Sequence, residues 1–267
     1  MADLPADPKE RSRALFNLVA PEYDTVGPRG FAHFGRRLVE LASVEPGHRV
    51  LDVATGRGAV LLPAAERAGA TGEVVGIDFA EAMVAATGAE IAARGLSART
   101  VWMDAEQLEF PDAAFDRVFC GFGIMFLVDR TAAVRGFRRV VRSGGRLAVS
   151  TWRRSNAQEL HGSLKHIGRD APRQPGWITE PEQLEAVLFD GGFGQVKVSV
   201  DEHTLVFASV EEYLATTRTT GARRLVDGLD ASELRNLHAS LAEQFEAYRG
   251  PDGFHVPVSA LIGIADA

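Results

Sequence analysis

The 267-residue chain has one cysteine, Cys120, and only three lysines, Lys9, Lys165 and Lys197. A lone cysteine excludes an intramolecular disulfide and fits a reducing cytoplasm. Its place in the apolar run Val118-Phe119-Cys120 reads as a small buried residue rather than a nucleophile. Basic charge is not in excess: 29 Lys and Arg face 36 Asp and Glu, for a net charge of −7. That balance lacks the basic footprint a nucleic acid needs, so no nucleic-acid partner is expected. No apolar run reaches the length of a membrane span, and the mixed charges of residues 2–10 are unlike a signal peptide. A cytoplasmic protein without a membrane span is the expectation. Metal-ligand spacing is absent too, so no metal site is expected.

What the chain does have is the stretch Val50-Leu51-Asp52-Val53-Ala54-Thr55-Gly56-Arg57-Gly58-Ala59-Val60. A short apolar run, a turn with two glycines and the start of a helical pattern read as strand, tight turn and helix N-terminus. Gly56 and Gly58 lack Cβ, so the turn reaches positive φ and a ligand can press on bare backbone. A second strand-like run, Glu73-Val74-Val75-Gly76-Ile77-Asp78, ends in a carboxylate twenty residues after Gly58. An acidic side chain there can accept both hydroxyls of a ribose lying across the turn. A dinucleotide would want a third glycine where Leu61 stands, and would gain nothing from Asp52. Asp52 is better placed for an ammonium group. A zwitterionic amino acid joined to a ribose, as in S-adenosylmethionine, suits the pair better than NAD.

Five segments in order carry a family resemblance. Val50 to Gly58 resembles the first motif of class I S-adenosylmethionine-dependent methyltransferases. Its Ala54-Thr55 form is similar to the ubiquinone/menaquinone C-methyltransferase branch. Leu15-Phe16-Asn17-Leu18-Val19-Ala20-Pro21-Glu22-Tyr23-Asp24 resembles that branch's N-terminal segment. Gly76 to Met83 resembles the ribose-binding motif. Asp104-Ala105-Glu106 through Asp116 is similar to the adenine-contacting loop and fourth strand. Arg139 to Leu147 resembles the approach to the fifth strand. Together these cover about residues 12–152; the remainder matches only in general layout.

Apolar spacing predicts helices over 11–20 and 31–42, then strand and helix in alternation, the mark of a parallel doubly wound α/β sheet. Strands are expected near 49–54, 73–78, 99–103, 115–121 and 145–152, with helices near 59–68, 80–94 and 130–142. Pro63 is awkward inside the first of these helices. Residues 153–176 read as a polar loop, and Val196, Val198 and Val200 as a sixth strand. Phe254 to Ile264 alternate as a last strand, with Pro257 at an edge or before pairing begins. The resemblance implies a Rossmann-like seven-stranded sheet of order 3-2-1-4-5-7-6, its last strand antiparallel, under an α-helical lid. The expected organisation is a lid over 1–45, a cofactor core over 46–152, and a substrate-facing segment over 153–267 with a helical insertion at about 209–249.

The resemblance also implies roles. Ala54, Thr55, Gly56 and Gly58 would hold the methionine part, with Asp52 near its ammonium and Asp78 on the ribose. Phe79 and Met83 would flank the adenine, with Asp104 and Ala105 at its polar edge. Phe16 and Tyr23 come from the lid, Tyr23 over the sulfonium, where an aromatic face stabilises positive charge. Gly121 and Phe122 would stand beside the methyl group. The acceptor's proton needs a base. His33 and then His161 are the expected catalytic residues, ahead of His166, since imidazole titrates near neutrality. Gly121-Phe122-Gly123-Ile124 stands where an amide or nucleobase methylase would carry Asn-Pro-Pro-Tyr. The reading is methyl transfer from S-adenosylmethionine, leaving S-adenosylhomocysteine, to a small apolar acceptor: a quinol, polyketide, aromatic or terpenoid natural product. Attack by carbon is slightly favoured over oxygen, and a homodimer is compatible. The rival readings are a non-methylating enzyme that uses the same cofactor, an NAD-dependent oxidoreductase and a non-catalytic scaffold.

Overall fold

Val50, Leu51 and Val53 have no exposed surface, because the strand that carries them is covered on both faces. Such strands are near-continuous apolar runs in parallel sheets. The computed structural model describes residues 5, 7–169 and 177–267. Strands β1 (Arg49–Val53), β2 (Glu73–Asp78), β3 (Ala98–Trp102), β4 (Phe115–Gly121) and β5 (Val141–Arg154) alternate with helices α3 (Leu61–Ala68), α4 (Glu81–Arg94) and α5 (Arg130–Val140). These five strands are mutually parallel, and β8 (Gly253–Asp266) runs antiparallel between β5 and β6 (Gln195–Phe207). The order is β3-β2-β1-β4-β5-β8-β6. It reproduces the expected order once a two-residue strand, β7 (Arg249–Gly250), is counted; β7 pairs only with β8.

Several boundaries differ from the periodicity, each for a local reason. Helix α1 (Pro8–Val19) starts earlier than residue 11, because Asp7 caps it through the Lys9 N–H and Pro8 sits in the first turn, where its missing donor is harmless. Pro63 is likewise tolerated as the third residue of α3, whose first N–H groups have no intrahelical partner. Strand β5 already begins at Val141, where the expected helix would still run. The loop expected over 153–176 contains α6 (Ala157–His166), whose Leu160 and Leu164 are buried; residues 170–176 lie outside the described ones.

The sixth strand runs over 13 residues, more than twice the span from Val196 to Val200. It pairs with β8 as far as Phe207 with Phe254, whereas β5 stops opposite Ser259. Pro257 therefore sits where β8 has β6 on one side and no β5 on the other, and the Arg154 guanidinium donates to its carbonyl at 3.1 Å. On this overhang a separate apolar core forms from Leu205, Phe207, Val256 and Val258, with α6, α8 (Val210–Arg218) and α10 (Ala231–Phe245) packed on it. The short helix α9 (Arg224–Asp227) joins the last two. Helix α2 (Gly30–Leu41) lies on the opposite side of the glycine turn, with Leu38 and Val39 in the core beneath α3. Helix α7 (Pro181–Asp190) covers the other sheet face with α5.

Candidate active site

The chain leaves β1 through backbone that L-residues rarely adopt: Ala54 at φ 55°, Gly56 at φ 51° and Gly58 at φ 80°. The Thr55 N–H donates to the Ile77 carbonyl at 2.9 Å and the Gly58 N–H to the Thr55 carbonyl at 2.8 Å. A Cβ on Gly56 would meet nothing within 4 Å. Its bareness therefore serves the open space above the turn and not the packing below. Lid helix α2 comes so close that a Cβ on Gly35 would lie 2.0 Å from the Ala59 carbonyl oxygen. Only glycine allows that approach.

Asp78 ends β2 and ties this turn to the next. Its carboxylate accepts the Gly56 N–H at 2.9 Å and the Ala80 N–H at 2.9 Å. Burial raises its pKa against these donors. Asp78 lines the cavity, and a carboxylate has about four lone-pair sites, so acceptor capacity remains for a ribose hydroxyl. Asp52 departs from its expected place. It is 1% exposed and lies beneath the turn, accepting from the Thr55 hydroxyl at 2.7 Å, while its Oδ1 has no partner. Burial pushes its pKa up to about 7. It does not line the cavity, so it braces the turn through Thr55 and cannot touch an ammonium there.

A cavity of about 580 Å³ opens over the turn, within the ~300–1,000 Å³ of small-molecule sites. Ala54, Thr55, Gly56, Gly58 and Asp78 line it, together with Phe79, Met83, Asp104 and Ala105 and with Phe16, Tyr23, Gly121 and Phe122. Phe79 stacks on Trp102 at 5.7 Å between centroids. Lys9 from α1 reaches Asp104 at 2.8 Å and Glu106 at 3.1 Å. A bare turn, a carboxylate with free lone pairs and an apolar slot ending in Asp104 fit an S-adenosyl group.

Beside it lies a second cavity of about 260 Å³. Among the described residues, Ser12, Phe16, Tyr23, Asp24, Phe31, Phe122 and Phe126 line both. The partition is aromatic: Tyr23 stacks on Phe31 at 5.3 Å, Phe31 meets Phe122 edge-on at 5.3 Å, and Phe16 meets Phe126 at 5.0 Å. Burial and the carboxylates of Asp24 and Asp78 hold the Tyr23 phenol protonated. Phe122 sits at φ 54°, an uncommon state for a bulky residue that is retained only where packing over-determines it. Trp152 at 4.2 Å and the Ser150 carbonyl, which accepts the Phe122 N–H at 3.0 Å, fix it.

The two expected histidines separate. His161 on α6 lines the second cavity. His33 lines neither cavity; its ring stacks on His203 at 3.9 Å and its Nε2 lies 3.3 Å from Asp201 on β6. The lid helix turns that position outward because Phe34 takes the inward one with no exposure. His33 is therefore corrected from base to surface residue. Cys120 is fully buried and its thiol is pushed up to about 12 by burial, as suits an inert side chain. Asp24 and Trp177 are the residues that motif reading passed over. Asp24 belongs to both cavities, and the Trp177 Nε1 borders the second with no partner among the described residues.

A methyltransferase-domain family model matches residues 50–145. Among curated relatives, the chain is 42% identical over 137 residues to the nocamycin O-methyltransferase of Saccharothrix syringae, covering 51% of this chain and 49% of that one. It is 41% identical over 141 residues to the demethylmenaquinone methyltransferase of Thermus thermophilus, covering 51% and 63%. The matched stretches thus span about half to two thirds of these relatives' length. Among solved structures, the [4+2]-cyclase SpnF superposes with a TM-score of 0.62 at 19% identity, covering 99% of both chains; at that identity the likeness is one of fold. With the matched core, the strand order and the turn–carboxylate geometry in agreement, residues 50–145 carry a methyltransferase domain, and the chain is similar to class I S-adenosylmethionine-dependent methyltransferases that include the ubiquinone/menaquinone C-methyltransferases.

Proposed function

We propose that this chain transfers the methyl group of S-adenosylmethionine, held in the larger cavity, to a small and largely apolar acceptor held in the smaller one. The observation that carries this reading is the pair of cavities meeting across the aromatic partition at Tyr23 and Phe122. Bound S-adenosylmethionine supplies an electrophilic methyl sulfonium, so the protein's task is alignment and exclusion of water. The turn at Ala54–Gly58 would take the methionine part and Asp78 the ribose hydroxyls. Phe79 and Met83 would enclose the adenine, with Asp104 accepting from its amino group. A neutral Tyr23 ring would offer its face to the positive sulfur. Met125, Trp152, Leu205 and Leu225 make the acceptor side apolar, which suits a quinol, aromatic, polyketide or terpenoid skeleton.

Relatives on both sides of the carbon–oxygen divide share this core, one of them named for O-methylation and one for a quinone precursor. The lid segment carrying Phe16, Tyr23 and Asp24 supports carbon as the attacked atom. The three parts, lid, cofactor core and acceptor-facing segment, would act as one unit closing over both ligands. The test is release of S-adenosylhomocysteine by the full chain over a panel of phenolic and enolic acceptors, with the product's methyl position read by NMR. Product without S-adenosylhomocysteine would instead favour a non-methylating reaction; a methyl on oxygen would overturn the carbon assignment alone.

A further inference from the structure

The acceptor must give up a proton, and neither histidine stands where the two ligands would meet. We propose that Asp24 is the proton acceptor of the reaction, an inference that rests on the methyl-transfer reading. Of the side chains that line both cavities, its carboxylate is the only charged one among the described residues. It makes no hydrogen bond and no ion pair among the described residues, which leaves its lone pairs for a ligand. His161 borders only the smaller cavity, on a helix beyond the partition.

The backbone around Asp24 is built to hold it there. Asp24 has φ 55°, a left-handed state that aspartate and asparagine tolerate best among residues with a Cβ. Three residues on, Gly27 packs so tightly on α8 that a Cβ would lie 2.2 Å from the Thr216 hydroxyl. The loop is thereby clamped between lid and insertion. Strain of this kind persists where surrounding structure over-determines it, often at functional sites.

Electrostatics agree. Burial pushes the Asp24 pKa up to about 7, while Arg29 and Arg57 pull against it. A carboxylate near neutrality is a competent base at ordinary pH. The other titratable or charged side chains that line the cavities are Tyr23 beside it, Lys9, Arg13, Arg36, Glu66, Asp78, Glu90, Arg94, Asp104 and Glu106 on the larger, and Arg224 and His161 on the smaller. In the step itself, the O–H bond of a phenol or enol breaks and its proton passes to Asp24. The freed electron pair forms the new bond to the methyl carbon as the carbon–sulfur bond breaks, and that bond's pair stays on sulfur as a neutral thioether. For attack through carbon, Asp24 first releases that proton to solvent; its carboxylate then takes the ring proton, the C–H pair restores the ring, and the oxyanion left behind regains a proton from solvent. Asp24 then loses its proton to solvent.

The test is Asp24→Asn, which keeps shape and left-handed tolerance, with Asp24→Glu beside it. Three quantities are read on the full chain: calorimetric affinity for S-adenosylhomocysteine, turnover against pH, and the infrared carboxyl band that titrates near neutrality. The acceptor probes are menadiol, 1,3-dihydroxynaphthalene and acetylacetone. The expected result for Asp24→Asn is affinity within about twofold, kcat down about a hundredfold or more, loss of the acid limb of the pH profile and loss of part of the infrared band. Asp24→Glu should recover part of the rate. A loss of affinity matching the loss of turnover would make Asp24 the partner of the cofactor's ammonium and overturn the proposal. An unchanged rate and pH limb would overturn it as well. If wild-type protein binds S-adenosylhomocysteine but turns over no probe, the methyl-transfer reading fails first.

Discussion

Arg57 of the glycine turn donates through Nη1 to the Ala20 carbonyl at 2.7 Å, so the turn that faces the cofactor cavity also grips the end of the lid's first helix. The same nitrogen reaches the Pro21 carbonyl at 3.3 Å. On the other flank Asn17 accepts from the Ala82 N–H at 2.9 Å and donates to Glu81 at 2.8 Å. Lid and core are thus joined through Arg57 on one element and Asn17 on another.

Arg57→Ala should release the lid while leaving the sheet intact. Hydrogen bonds from a charged donor contribute about 1.5–3 kcal/mol each, and part of that should appear as weaker S-adenosylhomocysteine binding. The measurement is calorimetry together with limited proteolysis, which should cut earlier within residues 8–24 of the variant. Equal cutting and equal affinity would show that the grip is not rate- or affinity-determining.

A carboxylate expected on the ribose should matter to binding. Asp78→Asn keeps an accepting oxygen for only one of the Gly56 and Ala80 N–H groups, which Asp78 accepts on different oxygens, and turns an NH2 toward the other while losing the charge. Affinity for S-adenosylhomocysteine should fall by about 1.5–3 kcal/mol. Asp78→Ala should lose thermal stability as well, because two buried N–H groups lose their acceptor. Calorimetry and melting curves on both variants separate the two effects.

Gly35→Ala places a methyl against the Ala59 carbonyl, where backbone and not a flexible side chain must yield. Overpacking of this kind costs about 1–3 kcal/mol. The melting temperature should drop and cofactor affinity with it, whereas Gly95→Ala at the end of α4, where a Cβ meets nothing within 4 Å, should leave cofactor affinity alone.

Asp52 gives the fold a pH dependence whose sign follows from its burial. Its folded pKa of about 7 lies above the 3.8 of an ordinary aspartate, so the native state holds the proton more tightly than the unfolded chain. Stability from this group is full below pH 4 and is lost as pH rises through 7, at about 1.4 kcal/mol per unit of pKa difference. Asp52→Asn removes the titration and keeps an acceptor for Thr55. Melting temperatures from pH 5 to 8 should decline less in the variant than in wild type; parallel curves would refute the assignment.

The core could be read from the sequence because its signals are local. Val50, Leu51 and Val53 announce a buried strand, and Gly56 and Gly58 a turn that needs positive φ. The sheet order matched what the five motifs imply. The outer half was less legible. His33 and Phe34 are adjacent, and which of them faces inward depends on how α2 lies on the Ala59 backbone, a tertiary fact. Asp52 looked available for an ammonium because spacing cannot tell a carboxylate above a turn from one below it. In β6, Glu202 and Thr204 stand where the alternation of Val196, Val198 and Val200 would continue with apolar residues, because most of that edge strand meets solvent. Leu205 and Phe207, the residues that reveal its true length, are buried by the insertion and, for Leu205, by Gly30 of α2.

The overhang of β6 and β8 past the end of β5 sets up a division of labour in mutation. Much of the acceptor wall, including Trp177, Leu205, Thr216 and Leu225, comes from residues outside the matched span 50–145. Part of it rests on the overhang's own apolar core, distinct from the two cores that seat the glycine turn. Substitutions in that outer core away from Phe34, Phe122 and Met125 act on the acceptor side first. A family of chains could therefore diversify its acceptors by exchanging the segment from about residue 155 to 250 as a block. In directed evolution, new specificities should accumulate on α6, α8 and the end of β6, while the turn stays fixed.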